Sequence, residues 1–203
     1  MSAVTAVSAC LIALSVITSA TVVHFDTFWS AALHAHAADP VVAVSFAISL
    51  LGGTDTVLPA TAVCAVALLA LRLWHSAIAL ALAVILTQLV VEVLKGIVER
   101  PRPPANEAVT DAGGFSFPSG HSATSAALFG VLTLVAARHL EGGLQRAAAA
   151  VGVALIAAVG VSRILLGAHY PTDVLAGWLT GGALALGSMA LLTWVRRALR
   201  ATA

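Results

Sequence analysis

The sequence is short of charge. Asp, Glu, Lys and Arg make up only 9% of its 203 residues, against about 25% in an average soluble domain. So few charged groups cannot coat a globular surface, which excludes an ordinary water-soluble domain. Cysteine is limited to Cys10 and Cys64, both inside apolar runs. Neither a disulfide framework nor a thiolate metal site is expected from them. No low-complexity linker divides the chain and no internal repeat is evident, so residues 1–203 are read as a single domain. The net charge is +1 and there is no basic tract, which gives no reason to expect a nucleic-acid partner. What the chain does have is apolar surface: 60% of it is hydrophobic and its mean hydropathy is +1.02. Lipid is the natural solvent for such a chain.

A membrane-spanning helix needs about 20 mostly apolar residues. Six stretches meet or approach that length: 4–23, 56–74, 76–94, 121–137, 147–163 and 174–195. The expected fold is therefore all-α and polytopic, with six transmembrane helices. A shorter apolar stretch, 40–51, reads as an interfacial or re-entrant helix between the first span and the second. Residues 24–55 then form an ordered outer segment. The first stretch lacks the basic leader of a secretion signal, so it is kept as a span.

Orientation follows from Lys and Arg in the short connections. With the N-terminus cytoplasmic, Arg72, Arg138, Arg146, Arg196, Arg197 and Arg200 fall inside. Both termini are then cytoplasmic. Lys95, Arg100, Arg102 and Arg163 fall on the outer face, against the rule, together with Asp26, Asp39, Asp55 and Asp111. An anion-binding site there would account for the misplaced cations.

The same face collects further chemistry. The third span ends at Lys95, and the loop after it carries Arg102-Pro103. The fourth span begins at Pro118-Ser119-Gly120-His121, the fifth ends at Ser162-Arg163, and the sixth is entered through His169-Tyr-Pro-Thr-Asp173. Arginine presents a planar fork to phosphate oxygens, and lysine acts as a point charge. Ser119-Gly120 stands at a helix N-terminus, where free N–H groups and the helix dipole favour anions. His169 and Asp173 share a helix face at i,i+4, so the carboxylate can take one ring proton and leave the other nitrogen to attack. His121 is the remaining imidazole, placed to protonate a leaving oxygen. Pro171 suits a first helical turn.

Together these residues resemble the type 2 phosphatidic acid phosphatase superfamily, which includes lipid phosphate phosphatases, bacterial acid phosphatases and vanadium haloperoxidases. Three motif parts carry the resemblance: Lys95 with Arg102-Pro103; Pro118-Ser119-Gly120-His121; and Ser162-Arg163 with His169 and Asp173. The resemblance implies that His169 attacks phosphorus to give a phosphohistidine and that Asp173 orients it. It implies that His121 protonates the leaving group and then helps water to hydrolyse the intermediate. Lys95, Arg102, Arg163, Ser119 and Gly120 are implied to hold the phosphoryl oxygens, with no metal and no cofactor. The partner is then a membrane lipid bearing phosphate or diphosphate, such as a phosphatidic acid, a phosphatidylglycerol phosphate or a polyprenyl diphosphate. A bacterial plasma membrane, with the site on its extracytoplasmic face, is the expected location.

Two other functions compete. A vanadate-dependent haloperoxidase would share the site, but the membrane spans argue against it. A non-catalytic lipid transporter or binding protein would place its site near the bilayer midplane between repeated halves, and no repeat is seen. Of the residues outside the motifs, Arg100 is expected either to touch a head group or to face water. Glu92, one turn before Lys95, is expected to support a site cation. Asp111 is expected to be solvated. His34 and His36 lack the neighbours of a metal site, and His24, His75 and His139 are expected near span ends.

Overall fold

A computed structural model describes residues 19–35, 39–104 and 113–201. These residues form α1 (Ala20–Ala35), α2 (Asp39–Ser49), a short 3-10 turn (Leu50–Gly52), α3 (Thr54–Ala70), α4 (Trp74–Val98), α5 (Gly120–His139), α6 (Gly142–Leu165) and α7 (Pro171–Ala201). No strand occurs among them.

Four helices, α4 to α7, are long and apolar enough to cross a membrane. The pair Asp39–Gly52 and Thr54–Ala70 also passes that test when taken together, with a 50° bend between its halves. The described residues therefore carry four such helices, or five with the bent pair, where the sequence suggested six. Most of the expected first span, together with Cys10, His36 and Asp111, lies outside the described residues. The later spans start and end within a few residues of their expected limits. The 40–51 stretch, expected as an interfacial or re-entrant helix, is helical and bends by 50° into the helix that follows, as a broken span or a re-entrant loop does. It is α2, and its 3-10 turn runs on into α3.

The bundle is built around α5, which packs against α4, α6 and α7. Half of its apolar window is buried, against 33–39% for the other three. Leu80, Ala83 and Val84 of α4, Leu128 and Val131 of α5, and Met189 of α7 join one buried cluster. Val63, Val66, Val93, Val153, Leu179 and Trp194 instead point outward and are well exposed. An apolar exterior of this kind is what a lipid-facing surface requires.

Two glycines bring α7 close to α5. A side chain at Gly177 would collide with the Ser119 carbonyl, and one at Gly181 with the Ala123 carbonyl. Small residues at such crossings let backbones approach closely. The approach has a direct consequence for the polar end of the bundle: Ser119 N–H donates to the Asp173 carbonyl at 3.0 Å.

Candidate active site

Local geometry explains how each side chain arrives. Helix α4 stops at Glu99, which adopts a left-handed conformation (φ 48°) and donates its N–H to the Lys95 carbonyl. That conformation costs a non-glycine residue roughly 1–2 kcal/mol, and Pro101 and Pro103 prevent the helix from resuming. The chain turns here, and Arg100 is carried inward. At the end of α6, Gly167 takes a positive φ of 65°. Ala168 N–H then reaches back to the Arg163 carbonyl at 3.0 Å. This turn presents His169 and the Ala168 carbonyl to the loop after α4. Helix α7 starts at Pro171, and the Asp173 carboxylate reaches back to Tyr170 N–H at 2.9 Å, as the third residue of a capping box does.

Lys95, Arg102, Gly120, His121, Arg163 and His169 line one cavity of about 240 Å³. They come from four separate stretches of chain. Glu92, Gln88 and Gly52 complete parts of its wall. Glu92 is paired with Lys95, one of the site cations, at 2.9 Å.

The His169 ring is buried, with 3% exposure. Its Nδ1 lies 2.8 Å from the Ser116 carbonyl. That carbonyl can only accept, so Nδ1 carries the proton and Nε2 is the unprotonated nitrogen. The nearest Asp173 oxygen is 3.7 Å from Nδ1, too far for a hydrogen bond. The hydrogen bond expected between ring and carboxylate therefore falls on a backbone carbonyl, and Asp173 acts on the ring through its charge. Burial foremost holds His169 down to a pKa of about 4; Arg102 and Arg163 push the same way, and Asp173 opposes them.

Arg102 is fixed by backbone. It donates to the carbonyls of Gly114 and Gly113 at 3.0 Å each and of Ala168 at 2.7 Å, and its Nη1 stands 3.2 Å from His169 Nε2. Burial lowers its pKa, partly offset by Asp173. Arg163 is 5% exposed, and its buried Nε has no hydrogen-bond partner. An unpaired buried donor on a cation is costly, and an anion in the cavity would remove the cost.

Ser119 is fully buried and serves as the N-cap of α5, its Oγ accepting from Ser122 N–H at 3.4 Å. Its own N–H is taken by Asp173. The first-turn N–H groups of Gly120 and His121 remain as backbone donors, of the kind a helix N-terminus leaves unpaired.

Three residues outside the motifs shape the site. Asp173 accepts from Ser116 Oγ at 2.5 Å and from Arg100 at 2.6 Å. Arg100 also reaches Asp26 at 2.6 Å and lies 4.4 Å over the Tyr170 ring. Asp26, fully buried in α1, accepts further hydrogen bonds from Thr172 N–H and Thr172 Oγ1. The Arg100 guanidinium is thus held between two carboxylates and is 11% exposed. Burial alone would lower its pKa, but Asp173 and Asp26 together raise it. In the sequence Asp26 is one of several outer-face acids, with nothing that pairs it to Arg100.

Known proteins resemble this chain in sequence and in fold. Residues 76–197 match the family model described as the PAP2 superfamily. Phosphatidylglycerophosphatase B of Bacillus subtilis is 36% identical over 92 residues, which is 44% of this chain and 45% of that protein. Lipid A 1-phosphatase of Rhizobium etli is 41% identical over 70 residues, 33% of this chain and 25% of that protein. The matched stretches thus span less than half the length of these curated relatives. The crystal structure of a transmembrane PAP2-type phosphatidylglycerolphosphate phosphatase from Bacillus subtilis superposes with a TM-score of 0.82 and 26% identity, covering 93% of this chain and 94% of that one. The Aquifex aeolicus LpxE structure, at TM-score 0.66 and 23% identity over 79% of this chain and 92% of its own, shares the fold. The chain is an integral membrane protein, and it belongs to the PAP2 superfamily.

Proposed function

We propose that this protein hydrolyses a lipid phosphate or lipid pyrophosphate through a phosphohistidine on His169. One observation carries the reading: Lys95, Arg102 and Arg163 converge with His121 and His169 on a single cavity. The relatives add weight, since a phosphatidylglycerophosphatase and a lipid A 1-phosphatase both act on phosphate borne by a lipid.

In the first step His169 Nε2 attacks phosphorus, an N–P bond forms and the P–O bond to the leaving group breaks. His121 gives the departing oxygen its proton. In the second step water attacks the phosphohistidine, His121 takes a proton from that water, and the N–P bond breaks to release inorganic phosphate. The Ser116 carbonyl fixes the ring tautomer, and Asp173 stabilises positive charge on the ring as the N–P bond forms. Lys95, Arg102, Arg163 and the N–H groups of Gly120 and His121 hold the phosphoryl oxygens as charge develops. Ser119 contributes by capping α5. Arg100, Asp26 and Ser116 are positioning residues acting through Asp173. Three fixed cations supply the charge stabilisation, and the reaction needs no metal ion.

The chain works as one phosphatase domain whose motif core is 95–173. It lies in a bacterial plasma membrane with six spans, both termini in the cytoplasm and the site at the extracytoplasmic head-group level. The substrate slides in with its tail still in the bilayer. The basic residues at the other helix ends support that orientation.

Phosphate release should be measured from a panel of phosphatidic acid, phosphatidylglycerol phosphate and polyprenyl diphosphate, with EDTA throughout. EDTA-resistant release that disappears in His169→Ala is the expected result. Release that requires an added divalent cation, or that survives His169→Ala, would reject the reading.

A further inference from the structure

A second cavity lies at the opposite ends of the helices. It is larger, about 610 Å³, and is walled by the α3–α4 turn, the start of α4, the end of α5 and the last turns of α7. Arg72, Arg138, Arg196 and Arg197 all line it, and no Asp or Glu does. Among the described residues none of these four arginines has a carboxylate within 4.0 Å. Arg138 is instead tied across the cavity mouth to Thr193 of α7 at 3.2 Å. Arg72 is held by a turn in which it takes a positive φ of 59°, an uncommon conformation for a residue other than glycine.

Topology alone accounts for basic residues at these ends, and helix C-termini favour them. Neither effect requires four guanidinium groups to gather around one concavity without a counter-charge. Like charges so placed repel, and a bound anion relieves the repulsion. The contrast with Arg100 is direct, since that guanidinium is matched by two carboxylates.

We propose that this cavity is a second phosphate-binding site, distinct from the candidate catalytic one, and that it holds the phosphate of an anionic phospholipid head group. Guanidinium groups bind phosphate oxygens through paired N–H donors. Basic pockets between transmembrane helices bind anionic head groups in this way. Exposed Trp74 lies on the same wall, as a residue at the edge of a bilayer does. The acyl chains then lie along the apolar exterior while the head group fills the cavity. The site would anchor the protein to anionic lipid without feeding its chemistry.

The test is lipid retention by the full-length protein in detergent, read by native mass spectrometry. The probes are phosphatidylglycerol, phosphatidylcholine and inorganic phosphate. Wild type should retain phosphatidylglycerol over phosphatidylcholine. Arg138→Gln/Arg196→Gln/Arg197→Gln should retain it roughly tenfold less or worse, while Arg102→Met, altered in the other cavity, should retain it as wild type does. The triple variant should still release phosphate from a short-chain substrate, which shows that it has folded; if it does not fold, the exposed Arg197→Gln alone should weaken retention. Displacement of the lipid by millimolar-range inorganic phosphate in wild type would keep the site and assign free phosphate as its ligand. Equal retention of the two lipids, full retention by a folded triple variant, or loss confined to Arg102→Met would overturn the proposal.

Discussion

Asp26 of α1 is joined to Asp173 of α7 through Arg100, whose two terminal nitrogens each stand 2.6 Å from one carboxylate. Both carboxylates are fully buried. The bridge fixes the Asp173 oxygen that faces Arg100, while Ser116 and Tyr170 fix the other. Asp26→Ala should therefore lower kcat roughly ten- to hundredfold, as loss of an orienting partner does at other polar sites, with little change in KM. Arg100→Lys should recover part of the activity lost in Arg100→Met. Steady-state kinetics on the purified variants will separate the two constants. A fall in melting temperature with kcat intact would mean that the bridge only holds the fold.

Ser116 contributes twice, through its hydroxyl to Asp173 and through its carbonyl to His169. Ser116→Ala removes the first contact and keeps the second. Its kcat should fall by roughly tenfold, about the worth of one hydrogen bond to a charged group. Asp173→Ala should cost far more. Equal losses in the two variants would place the hydroxyl, not the carboxylate, at the centre of the arrangement.

The ring of His169 should stay neutral well below ordinary imidazole pH, because burial foremost holds its pKa down to about 4. The unprotonated ring is the attacking form, so the sign is fixed: activity should persist as pH falls through 6 and 5, and should fail only near 4. After correction for the substrate's own ionisation, the acid limb of kcat/KM will report this. A limb near 6.5 would indicate an imidazole that burial and the neighbouring arginines do not depress. The same shift bears on stability. Between about 6.5 and 4 the unfolded ring takes a proton that the folded ring refuses, so this group favours folding less as pH falls through that window.

Close helix approach is a separate, structural claim. A methyl at Gly181 would meet the Ala123 carbonyl of α5, while at neighbouring Gly182 it would meet nothing within 4 Å. Gly181→Ala should destabilise the protein by about 1–3 kcal/mol and disturb the contact that holds α7 against Ser119. Gly182→Ala should be neutral or slightly stabilising, since alanine favours a helix. Thermal melting of the two variants side by side will show whether the crossing is as tight as described.

The motif side chains were legible in the sequence because their chemistry is local. Lys95 and Arg102, Ser119 to His121, and His169 and Asp173 each sit within one helix end or loop, and alternating helices bring those ends together. Asp26 was not legible in that way. It lies 74 residues from Arg100, and only tertiary packing makes them partners. The Ser116 carbonyl carried no signal at all, since every residue has one. Ser119 stands at a helix start, the place from which the sequence suggests a phosphate contact. What its type could not reveal is that close packing of α7 had already taken its N–H. The helices were read from apolar length, which fixes where a span can lie. It does not show that 40–51 would join the next helix through a bend.

The most direct test of a phosphohistidine on His169 is the stereochemical course at phosphorus when wild type hydrolyses a chiral phosphate ester. Two successive in-line displacements, by Nε2 and then by water, should give net retention. Net inversion would mean that water attacks the substrate directly, and that His169 does not become phosphorylated.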